Sequence, residues 1–594
     1  MDFLRGVLSK SSGLPGYTLL DKIDLPAECL HTLHNATRKE DGLACSILTF
    51  EATPSVQPLA RNYMSKLRGM KHPCVLQYLD GAEVDGVVYI AVERIEPLSY
   101  TLAGRAAAEI ITWGLYSIAQ AAFFVNSSSC IHGNVRVSSI YTNSSGEWKL
   151  GGFEVLSSMK DAEPFICRHG GFLKDAYSYT PPELQSRGFE DLKNMPLTAL
   201  DAYGFGCLIY TAFNGPFRSS SELQQYGKIP NSMLAQYKRL LAANATSRMS
   251  VSALIDHGKR AGGFFDTDVI HIAEQVPSLA MQSRDQVEAF LETHMEALSK
   301  LPRGFSKTRV LPELAKSFEY GGGGATSFKA VLALAKDFTP DDTEALLVPI
   351  LLRSWQSNDR AVRLVLLEHL ADYVDLLSQK QINDKVFNLL GSSFSDPAPI
   401  LREAAIRSLM ILCPKLSDRN LNGDLLKLLA KTANDAQPGI RTNTTICLGK
   451  VARYLNASSA RKVLTAAFTR ALKDPFVHAR LASCQAISAT ADMYEKEDLA
   501  LRLLPGIMPL LVDAEGVVRS QAKSTVELLV RRVETLTKDM PETTLQPQQA
   551  KQLPQAGSTA GGAIETAGVW AGWAVSKLSR NLDATNSNVP SGTS

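Results

Sequence analysis

Cys130-Ile131-His132-Gly133-Asn134-Val135-Arg136-Val137-Ser138-Ser139-Ile140-Tyr141 is the stretch on which the reading of this chain turns. His132 is followed two residues later by Asn134, and Ser139 comes five residues after that. Further runs stand at definite distances from it. Trp148-Lys149-Leu150-Gly151-Gly152-Phe153-Glu154 follows, and Cys45-Ser46-Ile47-Leu48 lies upstream. Downstream come Pro181-Pro182-Glu183, then Asp201-Ala202-Tyr203-Gly204-Phe205-Gly206-Cys207, then Ser247-Arg248-Met249-Ser250.

In that order the runs resemble the signature motifs of a protein kinase, with the chemistry replaced. A kinase catalytic loop needs an Asp to accept the substrate proton and an Asn to hold magnesium; Asn134 and Ser139 occupy those places. The metal-binding Asp of the next motif is Gly152, which has no side chain to coordinate with, and the phosphate-contacting Lys of the third strand is Leu48. No Asp or Glu lies between Glu51 and Asp80 to supply the usual partner of that Lys, and no glycine lies between Tyr17 and Asp41 to let backbone N–H groups approach phosphate. The structural positions survive. Pro181-Pro182-Glu183 reads as the Ala-Pro-Glu segment, Asp201 as the buried Asp of a core helix, and Arg248 as the partner of Glu183. A buried pair is costly to break from one side, which is a reason to keep it after chemistry is lost. After an N-terminal segment 1–14, residues 15–260 therefore read as a degenerate bilobal kinase fold of α+β class, a pseudokinase without catalytic Lys, catalytic Asp or metal-binding Asp.

The second half repeats itself. Arg363, Arg402, Arg441, Arg480 and Arg519 are each 39 residues apart, and Asp396, Asp435, Asp474 and Asp513 precede the last four by six residues. Such a period with two apolar helices per unit matches HEAT repeats, so residues 341–540 read as an all-α solenoid. The recurring Arg and Asp read as a ladder stitching neighbouring units together. Pro397 and Pro475 fit the first turn of a second helix. Residues 261–340 read as a helical joint of atypical capping helices, with Gly321-Gly322-Gly323-Gly324 as a break. From 541 to 594 the composition turns to Gln, Pro, Thr, Ala and Gly, which reads as a disordered tail. Inside it Trp570 and Trp573 share a helical face with Ala574 and Leu578, fit either to fold on a partner or membrane surface or to dock back on the solenoid.

Charge narrows the candidate contacts. Residues 401–480 hold 14 Lys or Arg against five Asp or Glu, in a chain whose net charge is +2. Outside the ladder, Arg407, Lys450, Arg453, Arg461 and Lys462 are the candidate partner-binding residues, together with Trp570 and Trp573. Either they are a solvated face or they converge on a concave surface that attracts an acidic partner or RNA phosphate. Nine cysteines without a Cys-x-x-Cys pair fit reduced thiols and no structural zinc. No secretory signal and no apolar run long enough to span a bilayer is read, and no cofactor, metal or small-molecule substrate is expected.

Gly146-Glu147-Trp148-Lys149-Leu150-Gly151-Gly152, Ile440-Arg441-Thr442-Asn443-Thr444-Thr445-Ile446-Cys447-Leu448-Gly449-Lys450 and Trp570-Ala571-Gly572-Trp573-Ala574-Val575 make the chain similar to the SCY-like pseudokinase family. The resemblance implies a catalytically inactive scaffold or adaptor in COPI-linked Golgi to ER retrograde trafficking. It implies COPI coat proteins as partners, peripheral membrane association through them, and residence in cytoplasm, Golgi and the ER-Golgi intermediate compartment. It implies, as the alternative, a tRNA-binding nuclear export factor that meets the tRNA-export machinery and the nuclear pore. Residual kinase activity is the third reading, and it requires nucleotide-dependent stabilisation.

Overall fold

The computed structural model describes residues 13–104, 106–320 and 323–541. Trp570 and Trp573, the rest of the tail beyond Pro541, and Gly321 and Gly322 of the glycine run lie outside the described residues.

Five antiparallel strands open the fold: β1 (Tyr17–Ile23), β2 (His31–Arg38), β3 (Ala44–Phe50), β4 (Tyr78–Val84) and β5 (Val87–Glu93), ordered β1-β2-β3-β5-β4. Period-two alternation gives the sheet two buried faces. Leu33, Leu48 and Ile90 stand opposite one another across three strands and face the core, while Ala36, Cys45, Ile47 and Ala91 form a smaller cluster on the other side with Leu14 and Tyr17. Helix α1 (Gln57–Gly69) starts with Pro58 in its first turn and buries Leu59, Ala60, Tyr63 and Leu67.

Beyond β5 the chain becomes mainly helical around a small sheet of β6 (Ile95–Pro97), β8 (Ile140–Asn143) and β9 (Trp148–Leu150), with β7 (Cys130–Ile131) just before the polar loop. Residues 74–76 join the lobes. Leu76 N–H donates to the Leu150 carbonyl at 3.0 Å, and Leu150 N–H to that of Cys74 at 2.9 Å. The helix Ala108–Ser127 corrects one expectation, since its 20 residues and apolar character are enough to cross a bilayer. It is instead a core helix, with Trp113, Leu115, Ile118, Ala119, Ala122 and Val125 buried. The helix Ala199–Asn214 is buried along nearly its whole length and carries Asp201.

From Asp268 onward only helices and turns follow among the described residues. Those before the repeats pack on the kinase-like part: Phe305 lies edge-on to Trp113 at 5.0 Å, the Ser145 and Thr308 hydroxyls are 2.6 Å apart, and Arg309 reaches Glu147 at 3.0 Å. One continuous apolar cluster runs from Leu33 to Leu529, so the two halves share a core. In the repeats, the second helices Pro399–Leu412, Pro438–Val451, Val477–Ala489 and Gly516–Thr537 stack side by side. Pro397 and Pro475 are not in their first turns, contrary to the sequence reading. Each helix starts later, because the preceding Asp first accepts the N–H two residues on, as Asp396 does from Ala398 at 2.8 Å.

Among the described residues the last helix of the stack differs in chemistry from those before it. Ile406, Thr445 and Cys484, buried in successive units, correspond at the repeat period to exposed Lys523 on the last helix. A charged outer face of this kind caps a solenoid.

Candidate functional site

The polar loop at 132–139 is held from below by one carboxylate. Asp201 accepts the backbone N–H of His132 at 2.9 Å, that of Gly133 at 2.8 Å and the amide of Asn126 at 2.7 Å. The His132 ring is fully buried, donates from Nε2 to the Gly151 carbonyl at 2.9 Å and lies edge-on to Phe153. Burial lowers its pKa, so it stays a neutral packing and hydrogen-bonding group. Gly133 has φ +74°, and a Cβ there would meet Ile166 at 2.3 Å.

The positions where kinase chemistry would sit touch one another. The Asn134 amide donates to Glu154 Oε2 at 3.0 Å, inside the protein. Gly152 has φ +77°, and a Cβ added there would come within 2.4 Å of the Ser139 Cβ. A carboxylate at 152 has neither the backbone nor the space it needs. On the sheet side Leu48 is wholly buried between Leu33 and Ile90.

Helix α1 closes on this set with neutral groups. The Asn62 amide donates to three nearby carbonyls, those of Phe153, Glu154 and Leu156, at 3.3, 3.0 and 3.1 Å. Tyr63 accepts the Gly152 N–H at 3.2 Å and lies edge-on to Phe153. The His31 ring, at the start of β2, bonds the Tyr141 hydroxyl at 2.8 Å and packs on Phe50 and Tyr63. The β1–β2 connection, residues 24–30, is tied down across the cleft. Tyr100 donates to the Asp24 carbonyl at 3.0 Å, and Lys174 to those of Ala27 and Cys29 at 3.1 and 3.2 Å. His31, Tyr63, Tyr141, Phe153 and Glu154 thus fill the space between sheet and loop, all buried. Burial raises the Glu154 carboxyl above its ordinary range and pushes the His31 imidazole down to about 4. The two groups are 4.0 Å apart, and each environment favours the neutral form.

Below the loop the Glu183–Arg248 pair forms at 2.8 Å, with Arg248 also donating to the carbonyls of Ala199 and Ala242. Among the described residues no group of three or more His, Cys, Asp or Glu is arranged to hold a metal ion. The sequence singled out the positions at 48, 134, 139 and 152 but missed His31, Asn62, Tyr63, Tyr141 and Glu154. The acid-free α1 was the available signal for a helix that approaches the cleft with neutral donors.

In the repeats the Arg and Asp series form a ladder. Arg402, Arg441 and Arg480 each grip the Asp 33 residues ahead, Asp435, Asp474 and Asp513, with Nε at 2.7 Å and Nη2 at 2.9 Å. Nη1 of each bonds the carbonyl of its own unit's Asp six residues back, at 2.7 to 2.9 Å. The first rung is looser, Arg363 to Asp396 at 3.8 Å with Arg360 closer at 3.0 Å, and among the described residues Arg519 bonds only its own unit's carbonyls.

The five basic candidates are divided between layers. Arg407 and Lys450 lie on the second helices Pro399–Leu412 and Pro438–Val451; Arg461 and Lys462 lie on the first helix Ala457–Ala471 of the next unit, with Arg453 in the turn between. Arg407 pairs with Glu403 and Arg461 with Glu495, while the Arg453 guanidinium stacks on the Tyr454 ring at 4.8 Å.

Comparison with known proteins places these features. No family model matches the chain. It is 31% identical over 507 residues to the probable inactive serine/threonine-protein kinase scy1 of Dictyostelium discoideum, an overlap of 85% of this chain and 61% of that protein. It is 30% identical over 540 residues to the protein kinase domain-containing protein ppk3 of Schizosaccharomyces pombe, covering 90% of this chain and 83% of the relative. With cytoplasmic export protein 1 of Saccharomyces cerevisiae the identity is 25% over 523 residues, 84% of this chain and 66% of the other. The chain thus spans only about three fifths of the Dictyostelium relative's length. The crystal structure of Cex1p shares the fold, with a TM-score of 0.57 at 21% identity over 89% of this chain and 98% of that one.

Proposed function

Because the chain belongs to the family of SCY1-like pseudokinases, we propose that it works as a catalytically inactive scaffold, an adaptor in COPI-linked traffic from Golgi to ER. The observation that carries the inactive part is the filled cleft. Leu48, Asn134, Ser139 and Gly152 remove the groups that would hold phosphate and metal, and His31, Tyr63, Tyr141 and Glu154 take up the space. The division into a kinase-like part at 15–260, a joint at 261–340 and a solenoid at 341–540 is the organisation we assign to this scaffold. A solenoid offers extended surfaces to several partners at once, which suits an adaptor. Coat proteins, membrane contact through them, and residence at the Golgi and the ER-Golgi intermediate compartment belong to this proposal, with Arg407, Lys450, Arg453, Arg461, Lys462, Trp570 and Trp573 as its candidate contacts.

A second reading, tRNA export through the cytoplasm and nuclear pore, is favoured by the relative named cytoplasmic export protein 1. Two measurements separate the readings. Thermal melting with ATP and magnesium is expected to show no shift, in the natural chain or after Gly152→Asp; a saturable rise in melting temperature would refute the filled cleft, since a ligand that binds the folded state must stabilise it. A pull-down with and without RNase, scoring coat subunits and tRNA together, is expected to recover coat regardless of RNase. Recovery of tRNA alone, abolished by charge reversal at Lys450, Arg453, Arg461 and Lys462, would make export the function.

A further inference from the structure

A cavity of about 680 Å³ lies at the C-terminal end of α1. Its walls come from five places: the end of α1, the 70–78 segment that leads into β4, Glu93 at the end of β5, Lys149 in β9, and Arg309 from the helices beyond the kinase-like part. Its volume is in the range of sites that hold a ligand or a short peptide segment. Leu67, Val75 and Leu76 are buried behind the wall, and the accessible surfaces of Met70, Pro73 and Tyr78 offer apolar contact as well as charge.

The charge is of one sign. Arg68, Lys71, Lys149 and Arg309 line the cavity, against a single acid, Glu93. Glu93 is already engaged, accepting the Gln77 N–H at 3.0 Å and the Asn143 amide at 3.2 Å. Behind the wall Glu147 bridges Lys149 at 3.2 Å and Arg309 at 3.0 Å, and Lys149 also donates to the Pro73 carbonyl at 2.5 Å. These contacts fix the two inner cations. Arg68 and Lys71, at the mouth, are exposed and form no ion pair among the described residues. Arg68 complements the carbonyl end of α1, but Lys71 stands beyond the helix and Arg309 arrives from a distant part of the chain, so helix capping does not account for the cluster.

We propose that this cavity is a docking site for an acidic peptide segment of a partner protein, one that sets an apolar side chain against Met70, Pro73 and Tyr78 between carboxylates facing Arg68, Lys71 and Arg309. The half-apolar wall and the confined volume favour a peptide over a nucleic-acid strand, which needs a track of cations along its phosphates. The site adds to the scaffold reading a partner contact on the kinase-like part, and rests on that reading only in taking the partner to be a protein.

The test is selection of a displayed library of random twelve-residue peptides on the full chain, followed by solution binding of the enriched peptides to the natural chain and to R68E/K71E. Both residues are exposed, so the variant should stay folded, melting slightly below the natural chain because Arg68 no longer complements the carbonyl end of α1, and R309Q provides a milder second variant from the opposite wall. Enrichment of sequences that combine acidic and apolar residues is expected, with affinity falling about tenfold or more in R68E/K71E and weakening with added salt. Enrichment without acidic residues, or equal binding to both variants and the natural chain, would overturn the proposal. So would a poly-uridine oligonucleotide that binds through Arg68 and Lys71 while the acidic peptides do not. None of these outcomes depends on the coat pull-down, so failure here and failure of the trafficking reading are distinguishable.

Discussion

The filled cleft and the repeat ladder both turn polar groups inward, but they do so in opposite ways. In the ladder one contact recurs: a guanidinium grips the next unit's carboxylate and its own unit's carbonyl at Arg402, Arg441 and Arg480 alike. In the cleft no contact occurs twice. His31, Asn62, Tyr63 and Asn134 make contacts of different kinds, and Asp201 is the hub of the loop they meet, accepting three donors. A repeated contact spreads its stabilisation over the length of a stack, whereas a single hub concentrates it.

The largest effect should follow from breaking the hub. Asp201→Ala leaves the N–H groups of His132 and Gly133 and the Asn126 amide without their acceptor, all in a buried site. Orphaned buried donors cost about 1–3 kcal/mol each, so a loss on the order of 3–5 kcal/mol is expected in chemical denaturation. A loss under about 1 kcal/mol would mean that the loop is held by packing instead.

The ladder should show a smaller and graded response. Arg441→Ala removes two charge-assisted bonds to Asp474 and two to the carbonyls of Asp435 and Ala436, in a pair whose side chains are only 18% and 11% exposed. We expect a loss of about 2–3 kcal/mol. Arg519→Ala removes bonds to two carbonyls at the exposed end of the stack, where no further Asp is gripped among the described residues, and should cost under about 1 kcal/mol. Equal losses at the two rungs would show that the carbonyl bonds, not the inter-unit carboxylates, carry the ladder.

The contrast also explains what the sequence could and could not reveal. Repetition is legible: a spacing of 39 residues between Arg441 and Arg480 pointed to a rung before any coordinate was known. Lost kinase residues are legible too, because the frame of surviving positions such as Glu183, Asp201 and Arg248 locates them. What filled their places was not, since His31 meets Tyr141 across 110 residues and Asn62 meets Leu156 across 94, at separations no local period encodes. How the basic candidates divide between helices was not legible for a related reason. Their clustering in sequence between 407 and 462 is real, but a helix-turn-helix unit sends neighbours to different layers, and Glu495, far outside that stretch, pairs with Arg461.

The finest distinction between the two regions is the sign of their pH dependence. Asp474 is held below the ordinary carboxylate range, chiefly by its bonds from Arg441, and Asp513 likewise by Arg480. A depressed folded-state pKa contributes stability that is present above the unfolded value and lost as pH falls through the folded one, so the ladder weakens only in acid, below about pH 4. Glu154 is shifted the other way by burial. Its contribution is complete below the unfolded value near 4.5 and is lost as pH rises through the raised folded value. His31 opposes it, losing stability as pH falls from 6.5 towards about 4. Glu154→Gln keeps an acceptor for the Asn134 amide and removes the carboxyl that resents ionisation. Denaturation measured from pH 5 to 8 should therefore show the variant gaining on the natural chain as pH rises, by a margin smaller than the losses at Asp201 and Arg441 and of opposite sign to them. A variant that loses ground with rising pH would mean that Glu154 is ionised in the folded protein and that the cleft, like the ladder, is held by charge.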